Sequence, residues 1–230
     1  MKSIARICGK DILNDWVGQS PSFASVVDLV ASTQSSAFVV GGAIRTRLLH
    51  DRPRPRDLDI VVEVGAADVL RNLSRRVPVM LRTPDAGTVL LPDGSTADIF
   101  SPSSFKAGCE SAEEMLRWFD LSVNAVGIPL DPSRTELDPV GGVADACSRR
   151  VALIERRWAE ANDRDAVHLA MRLAELAYRV PGLTVRSGAP LERCLPLVET
   201  LPDWRPVQAC HRMGRDEAVS LLRALLAPHP

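Results

Sequence analysis

The stretch "FVVGGAIRTRLLHDRPRPRDLDIVVEVG", Phe38 to Gly65, decides how the chain reads. It opens as a short apolar run and turns at Gly41-Gly42. It continues as "AIRTRLL" with helical character until Pro53 and Pro55 force extended backbone. "DLDIVVEV" then has the β-branched content and early alternation of a strand. Side chains at i and i+2 of a strand face the same side, so Asp57 and Asp59 project together while Leu58 points into the core. Two adjacent carboxylates can grip one hard divalent cation and leave its other positions to water or phosphate oxygens. A third carboxylate from a neighbouring strand would extend this to a two-metal phosphoryl-transfer site, and Asp98 in "TADIF" is the candidate. Gly41 and Gly42 end one strand and open a helix, which leaves backbone N–H groups and the helix dipole to meet an anion such as a triphosphate. Arg45, one turn in, adds a charged donor. Acid-x-acid and Gly-Gly each arise by chance; here they occur in order.

Outward from this stretch, "SFASVVDLVAS" has helical spacing, "AADVLRNLSRRV" is amphipathic, and "GTVLLPDGSTADIF" reads as a hairpin turning at Pro92-Asp93-Gly94. "SAEEMLRWF" starts a helix with Ser111 and Glu114 in capping-box register, "VNAVGI" reads as a strand, and "DPVGG" as a loop. Beyond about Trp158 the pattern turns helical in "AEANDRDAVHLAMRLAELAYR", "APLERCLPLVETL" and "RDEAVSLLRALLA". The expected fold is therefore an α/β head of mixed sheet and flanking helices over residues 1–154, followed by a small all-helical neck over residues 155–230.

At 230 residues and 46% hydrophobic content the chain can bury a substantial core. A net charge of -1 argues against long-range capture of RNA. Five cysteines without C-x-x-C spacing suit a reducing cytoplasm, and the charged N-terminus and lack of a long apolar run predict neither signal peptide nor membrane span. The four tryptophans read as core or interface anchors, "DRPRPR" as a solvated connector, and His50, His211 and His229 show no ligand spacing.

Strand, Gly-Gly, helix and acid-x-acid strand together resemble the polymerase β-like nucleotidyltransferase superfamily. "VVGGAIRTRLLHDRPRPRDLDIVV" is similar to the opening motif of the class II tRNA nucleotidyltransferases (CCA-adding enzymes) and bacterial poly(A) polymerases. "AGTVLLPDGSTADIF", "DLSVNAVGI" and "LDPVGGVADACSRRV" resemble three further motifs of that family in the same order, over roughly Phe38 to Leu176. The resemblance implies an enzyme in which Asp57 and Asp59 hold magnesium, in a two-metal arrangement with manganese as a substitute, and Asp98 completes the catalytic acids. It implies that Gly41, Gly42 and Arg45 hold the triphosphate and that Asp120 and Asn124 shape the sugar side of the pocket.

The sequence also departs from the family pattern. Thr46 stands where the family has Asp, and Trp118 and Phe119 where it has two arginines. The neck motif whose Asp and Arg meet base edges aligns with "RDAVH", setting Asp165 on the Asp and His168 on the Arg. A neutral histidine offers one donor and one acceptor in place of five fixed donors, so an altered base preference is expected. Met171 and Ala174 replace further neck arginines, with Arg172 displaced by one position, about 100° around the helix. About fifty residues follow Arg179. With so little basic surface, a small-molecule acceptor for ATP- or CTP-derived nucleotide is the leading expectation. The rivals are tRNA 3′ ends, gripped with help from a partner subunit or a homo-oligomer, and a catalytically weak nucleotide-binding module.

Overall fold

The computed structural model describes residues 9–33, 35–50, 55–186 and 188–227; Cys8, His229 and the connector from Asp51 through Pro53 to Arg54 lie outside them. In chain order the first part runs α1 (Gly9–Gln19), α2 (Pro21–Ala31), β1 (Ala37–Val40), α3 (Gly42–Leu49), β2 (Asp57–Val62), α4 (Ala66–Ser74), β3 (Val79–Thr83), β4 (Ala86–Leu90), β5 (Thr96–Phe100), α5 (Pro102–Phe105), α6 (Ala112–Leu116), a 3-10 turn (Ser122–Asn124), β6 (Gly127–Pro129) and α7 (Gly142–Cys147). The second part adds β7 (Arg150–Val151), α8 (Glu155–Ala159), α9 (Asp163–Arg179), β8 (Thr184–Val185), α10 (Ala189–Thr200), α11 (Arg205–His211) and α12 (Arg215–Leu226).

Six strands form one mixed sheet in the order β3-β4-β5-β2-β1-β6, with β2 and β5 parallel and the other neighbours antiparallel. Period-2 alternation sorts its residues. Leu58, Ile60 and Val62 of β2 point to one face, where they pack with Val39, Ala97 and Ile99 against α1, α2 and α4 through Trp16, Phe23 and Leu70. Val61 points to the other face and packs with Phe38 and Val40 against Met115 and Leu116 of α6. Asp57 and Asp59 share the side of Val61, at the end of the strand that α6 leaves uncovered.

A third core gathers Leu121, Val123 and Val151 with the inner faces of α9, α10 and α12, and β7 pairs with β8, so the two parts are packed together across residue 154. Asp145 braces this junction from a buried position, accepting from Ser122 Oγ at 2.6 Å and Arg150 Nε at 3.2 Å and facing Arg186 at 3.6 Å.

Two local expectations need correction. "VNAVGI" is not a strand throughout: residues 122–124 form the 3-10 turn and only 127–129 enter the sheet, because the chain bends so that Asn124 meets Asp120. The helix of "SAEEMLRWF" is capped by Ser111 Oγ accepting from Glu114 N, but the Glu114 carboxylate returns to Glu110 N, one residue before the cap.

Candidate active site

One cleft of about 800 Å³ opens beside the sheet, between it and α9. It is lined by Gly41, Gly42, Arg45, Asp59, Asp98, Asp120, Asn124 and Arg172 among the residues expected from sequence. Asp57, Asp165 and His168 are not in its lining.

The acid cluster follows from strand register. Asp59 on β2 stands directly opposite Asp98 on parallel β5, and Asp57 opposite Thr96, whose hydroxyl donates to Asp57 Oδ1 at 2.8 Å. Asp98 is held from the other side, by Thr88 Oγ1 at 2.5 Å and by Arg82 at 3.3 Å. Burial first, then the Asp98 and Asp57 carboxylates, push Asp59 up to about 6. A carboxylate raised by burial and by like charges beside it is a site that a cation would relieve, and an all-oxygen donor set suits a hard divalent ion. Among the described residues no group of three or more His, Cys, Asp or Glu side chains is arranged to hold a metal by itself. The Asp59 and Asp98 carboxylates, opposite one another at the cleft, fit a hard ion that takes its remaining coordination from water or phosphate.

The glycine turn abuts these acids. Gly41 has φ +79 and caps α3, and a Cβ there would lie 2.9 Å from Asp59 Oδ2. This close approach brings the N-terminal N–H groups of α3 alongside the carboxylates.

Across the cleft, four polar side chains form one chain. Arg45 Nη1 donates to Asn124 Oδ1 at 2.9 Å, Asn124 Nδ2 donates to Asp120 Oδ1 at 2.6 Å, and Arg172 Nη1 donates to Asp120 Oδ2 at 3.3 Å. Asp120 is only 7% exposed. It is fixed further by Leu121 N at 2.9 Å, while Trp158 Nε1 donates to its backbone carbonyl at 2.8 Å. Burial pulls the Arg45 guanidinium below its ordinary value, with Asp120 opposing that shift. On α9, Arg172, Glu175, Leu176 and Arg179 fall at i, i+3, i+4 and i+7 and line the same wall.

The remaining expected residues are held elsewhere. Asp165 sits in the first turn of α9, where its N–H and carboxylate both bond the capping Asn162, at 2.9 and 3.2 Å. His168 turns to α11: its Nδ1 lies 3.0 Å from His211 Nε2, and His211 Nδ1 lies 3.0 Å from Glu175 Oε1. Met171 and Ala174 are core residues of the helical part.

Sequence reasoning missed Arg82, Glu175, Arg179, Phe100 and Phe105 in the cleft. Glu175 and Arg179 were reachable from the helical spacing that starts at Arg172, and Arg82 from the run "VMLRT" that forms β3.

No family model matches the sequence, and no curated protein sequence matches it. Solved structures do resemble it. A tRNA nucleotidyltransferase complexed with a primer tRNA and an incoming ATP analogue is 19% identical with a TM-score of 0.64, the match covering 87% of this chain and 60% of that one. A CCA-adding enzyme in complex with CTP gives 16% identity and a TM-score of 0.63 over 88% of this chain and 51% of that chain. The Thermotoga maritima CCA-adding enzyme complexed with tRNA gives 18% and 0.62 over 88% and 50%. The chain spans about half the length of the solved structures it matches. Its mixed sheet, flanking helices and helical C-terminal part have the fold of the class II CCA-adding enzymes.

Proposed function

We propose that this protein is a nucleotidyltransferase that moves a nucleoside monophosphate from a nucleoside triphosphate to an acceptor hydroxyl or phosphate, releasing pyrophosphate. The observation that carries this reading is the register of Asp59 opposite Asp98 beside the Gly41 turn, in a cleft that also holds Arg45. Asp57 and Asp59 would hold magnesium, with Asp98 beside them; bound there, the ion would neutralise charge on the polyphosphate and lower the pKa of the acceptor. The α3 N–H groups and Arg45 bind the triphosphate tail. Asn124 and Asp120 fix Arg45 in place, so that it meets the tail without first paying to reorganise. Attack by the acceptor oxygen forms its bond to the α-phosphorus as the bond to the β-bridging oxygen breaks. The pyrophosphate leaves with that electron pair, and the acceptor proton passes to Asp98.

Two acceptors compete. The likeness to structures holding tRNA favours an RNA 3′ end. The near-neutral charge of the chain favours a small molecule, a reading the resemblance does not support. Incubation with magnesium and each labelled triphosphate, offered tRNA or a small-molecule extract, tests both through pyrophosphate release and label transfer. Asp59→Asn and Asp98→Asn should lower release by at least about 100-fold, the scale of losing a transition-state charge stabiliser. Turnover unchanged in both variants would end this reading.

A further inference from the structure

The sheet order divides the cleft. β1 carries Gly41 at its end, β2 carries Asp59, β5 carries Asp98 and Phe100, and β4 and β3 follow with Ala86, Thr83 and Arg82. The triphosphate-binding turn thus lies on one side of the acids and a different set of residues on the other. In-line displacement requires the attacking oxygen to approach from the side opposite the leaving pyrophosphate. The acceptor therefore belongs on the β5-β4-β3 side.

That side is aromatic. Phe100 lies two residues beyond Asp98 on β5 and projects to the same face. Its ring is 6.3 Å from that of Phe105 and inclined by 28°, and Phe105 in turn lies 5.1 Å from Phe119. Phe119 is buried, whereas Phe105 is 45% exposed although it is large, apolar and packed on two other rings. Its position is fixed by α5, whose first turn is capped by Ser101 Oγ accepting from Ser104 N at 3.1 Å. Next to it, Lys106 Nζ lies 4.0 Å and Arg156 4.3 Å from the Trp118 ring centre, and Lys106 is paired with Glu160 at 2.6 Å, so these cations are engaged outside the cleft.

We infer that Phe105 is a stacking ledge for a planar heteroaromatic ring carried by the acceptor. This inference rests on the nucleotidyl-transfer reading above and narrows its acceptor: polyols and sugar phosphates without a ring are poor occupants. A free nucleotide and the last nucleoside of an RNA strand both present this chemistry.

The test uses the full chain with magnesium and a saturating mixture of non-hydrolysable triphosphates of all four bases, so that the donor site is filled. The probes are 2-aminopurine riboside monophosphate and a short RNA ending in 2-aminopurine, whose fluorescence is quenched on stacking. Quenching by wild type is expected with at least one probe, and the more tightly bound probe names the source. Phe105→Ala should bind about ten-fold more weakly, within the range of one lost base–aromatic stack, and Phe105→Tyr should retain binding. Thermal melts that coincide with wild type establish that the exposed-site variants fold. Absence of quenching with both probes, equal affinity in Phe105→Ala, or displacement by ribose 5-phosphate as effective as by a nucleotide would overturn the ledge. Pyrophosphate release is followed in a separate, parallel reaction with the four natural triphosphates. Its loss with quenching intact counts against nucleotidyl transfer, and its persistence with quenching absent counts against the ledge alone.

Discussion

Asp59 Oδ2 stands where a Cβ on Gly41 would approach to 2.9 Å, at a backbone φ of +79. The two residues are thus matched: the turn needs a glycine both for its left-handed φ and for the carboxylate behind it. Gly41→Ala should lose about 1–2 kcal/mol from the backbone alone, with further loss as Asp59 is displaced. Gly42→Ala is the control, since it has no left-handed φ and its Cβ would meet only the end of the Arg45 side chain, at an ordinary contact distance of 3.4 Å. Urea unfolding of both variants checks this; equal destabilisation would show that Asp59 is not in contact with the turn.

The raised Asp59 sets a pH dependence of unusual sign. Its folded value of about 6 exceeds its ordinary 3.8, so between those values the folded protein binds more protons than the unfolded chain. The stability due to this group is therefore present at low pH and lost as pH rises from 3.8 through about 6. In metal-free buffer near neutrality, Asp59→Asn should be more stable than wild type by at most about 3 kcal/mol, and the gap should close on acidification. Magnesium should raise the melting temperature of wild type and leave that of Asp59→Asn unmoved. A gap that is independent of pH would show that neither burial nor the neighbouring carboxylates raise Asp59.

The part of this site that was legible in the sequence is the part built from local periodicity. Asp57, Asp59 and Leu58 sort by the two-residue repeat of a strand, and Gly41 by the turn it must make. The pairing of Asp59 with Asp98 needed the parallel register of β2 and β5, which no local pattern encodes. Asp165 and His168 show the converse. The alignment of "RDAVH" gives their positions in the chain, but Asn162 takes up Asp165, and His211, 43 residues further on, takes up His168. The Gly142 position was likewise read as loop; a Cβ there would meet the Ser122 carbonyl at 2.1 Å, a tertiary contact invisible to spacing.

Asp120 is the anchor of the Arg45 chain, so its replacement should act on stability and binding together. Asp120→Ala removes the acceptor for Asn124 and Arg172 at a buried position and should cost about 2–3 kcal/mol, the scale of lost bonds to a charged group. Asn124→Ala should add little to it in the double variant, because both interrupt one chain. Denaturant midpoints of the two single variants and the double variant test this; strict additivity would mean that the Asp120 and Asn124 side chains act independently.

His168 should make stability fall on mild acidification, opposite in sign to Asp59. Burial, with His211 next, holds His168 below its ordinary 6.5, so the unfolded chain binds the proton more readily. The groups acting on it are His211, Arg164 and Arg172, which oppose protonation, and Asp165, which favours it; Glu175 lies behind His211 at 3.0 Å. Stability due to His168 is complete above its unfolded value and is lost as pH drops through 6.5 towards the folded value. His168→Gln should therefore unfold with a flatter dependence on pH between about 8 and about 5, a range in which histidine is the side chain that ordinarily titrates. His211→Ala should relieve His168 of the neighbour that opposes its protonation and also cut the link to Glu175 in the cleft wall, so its pH profile should flatten while its stability near pH 8 falls by about 1 kcal/mol. Profiles that coincide with wild type in both variants would detach the histidine pair from the titration, and with it the coupling of α11 to the cleft.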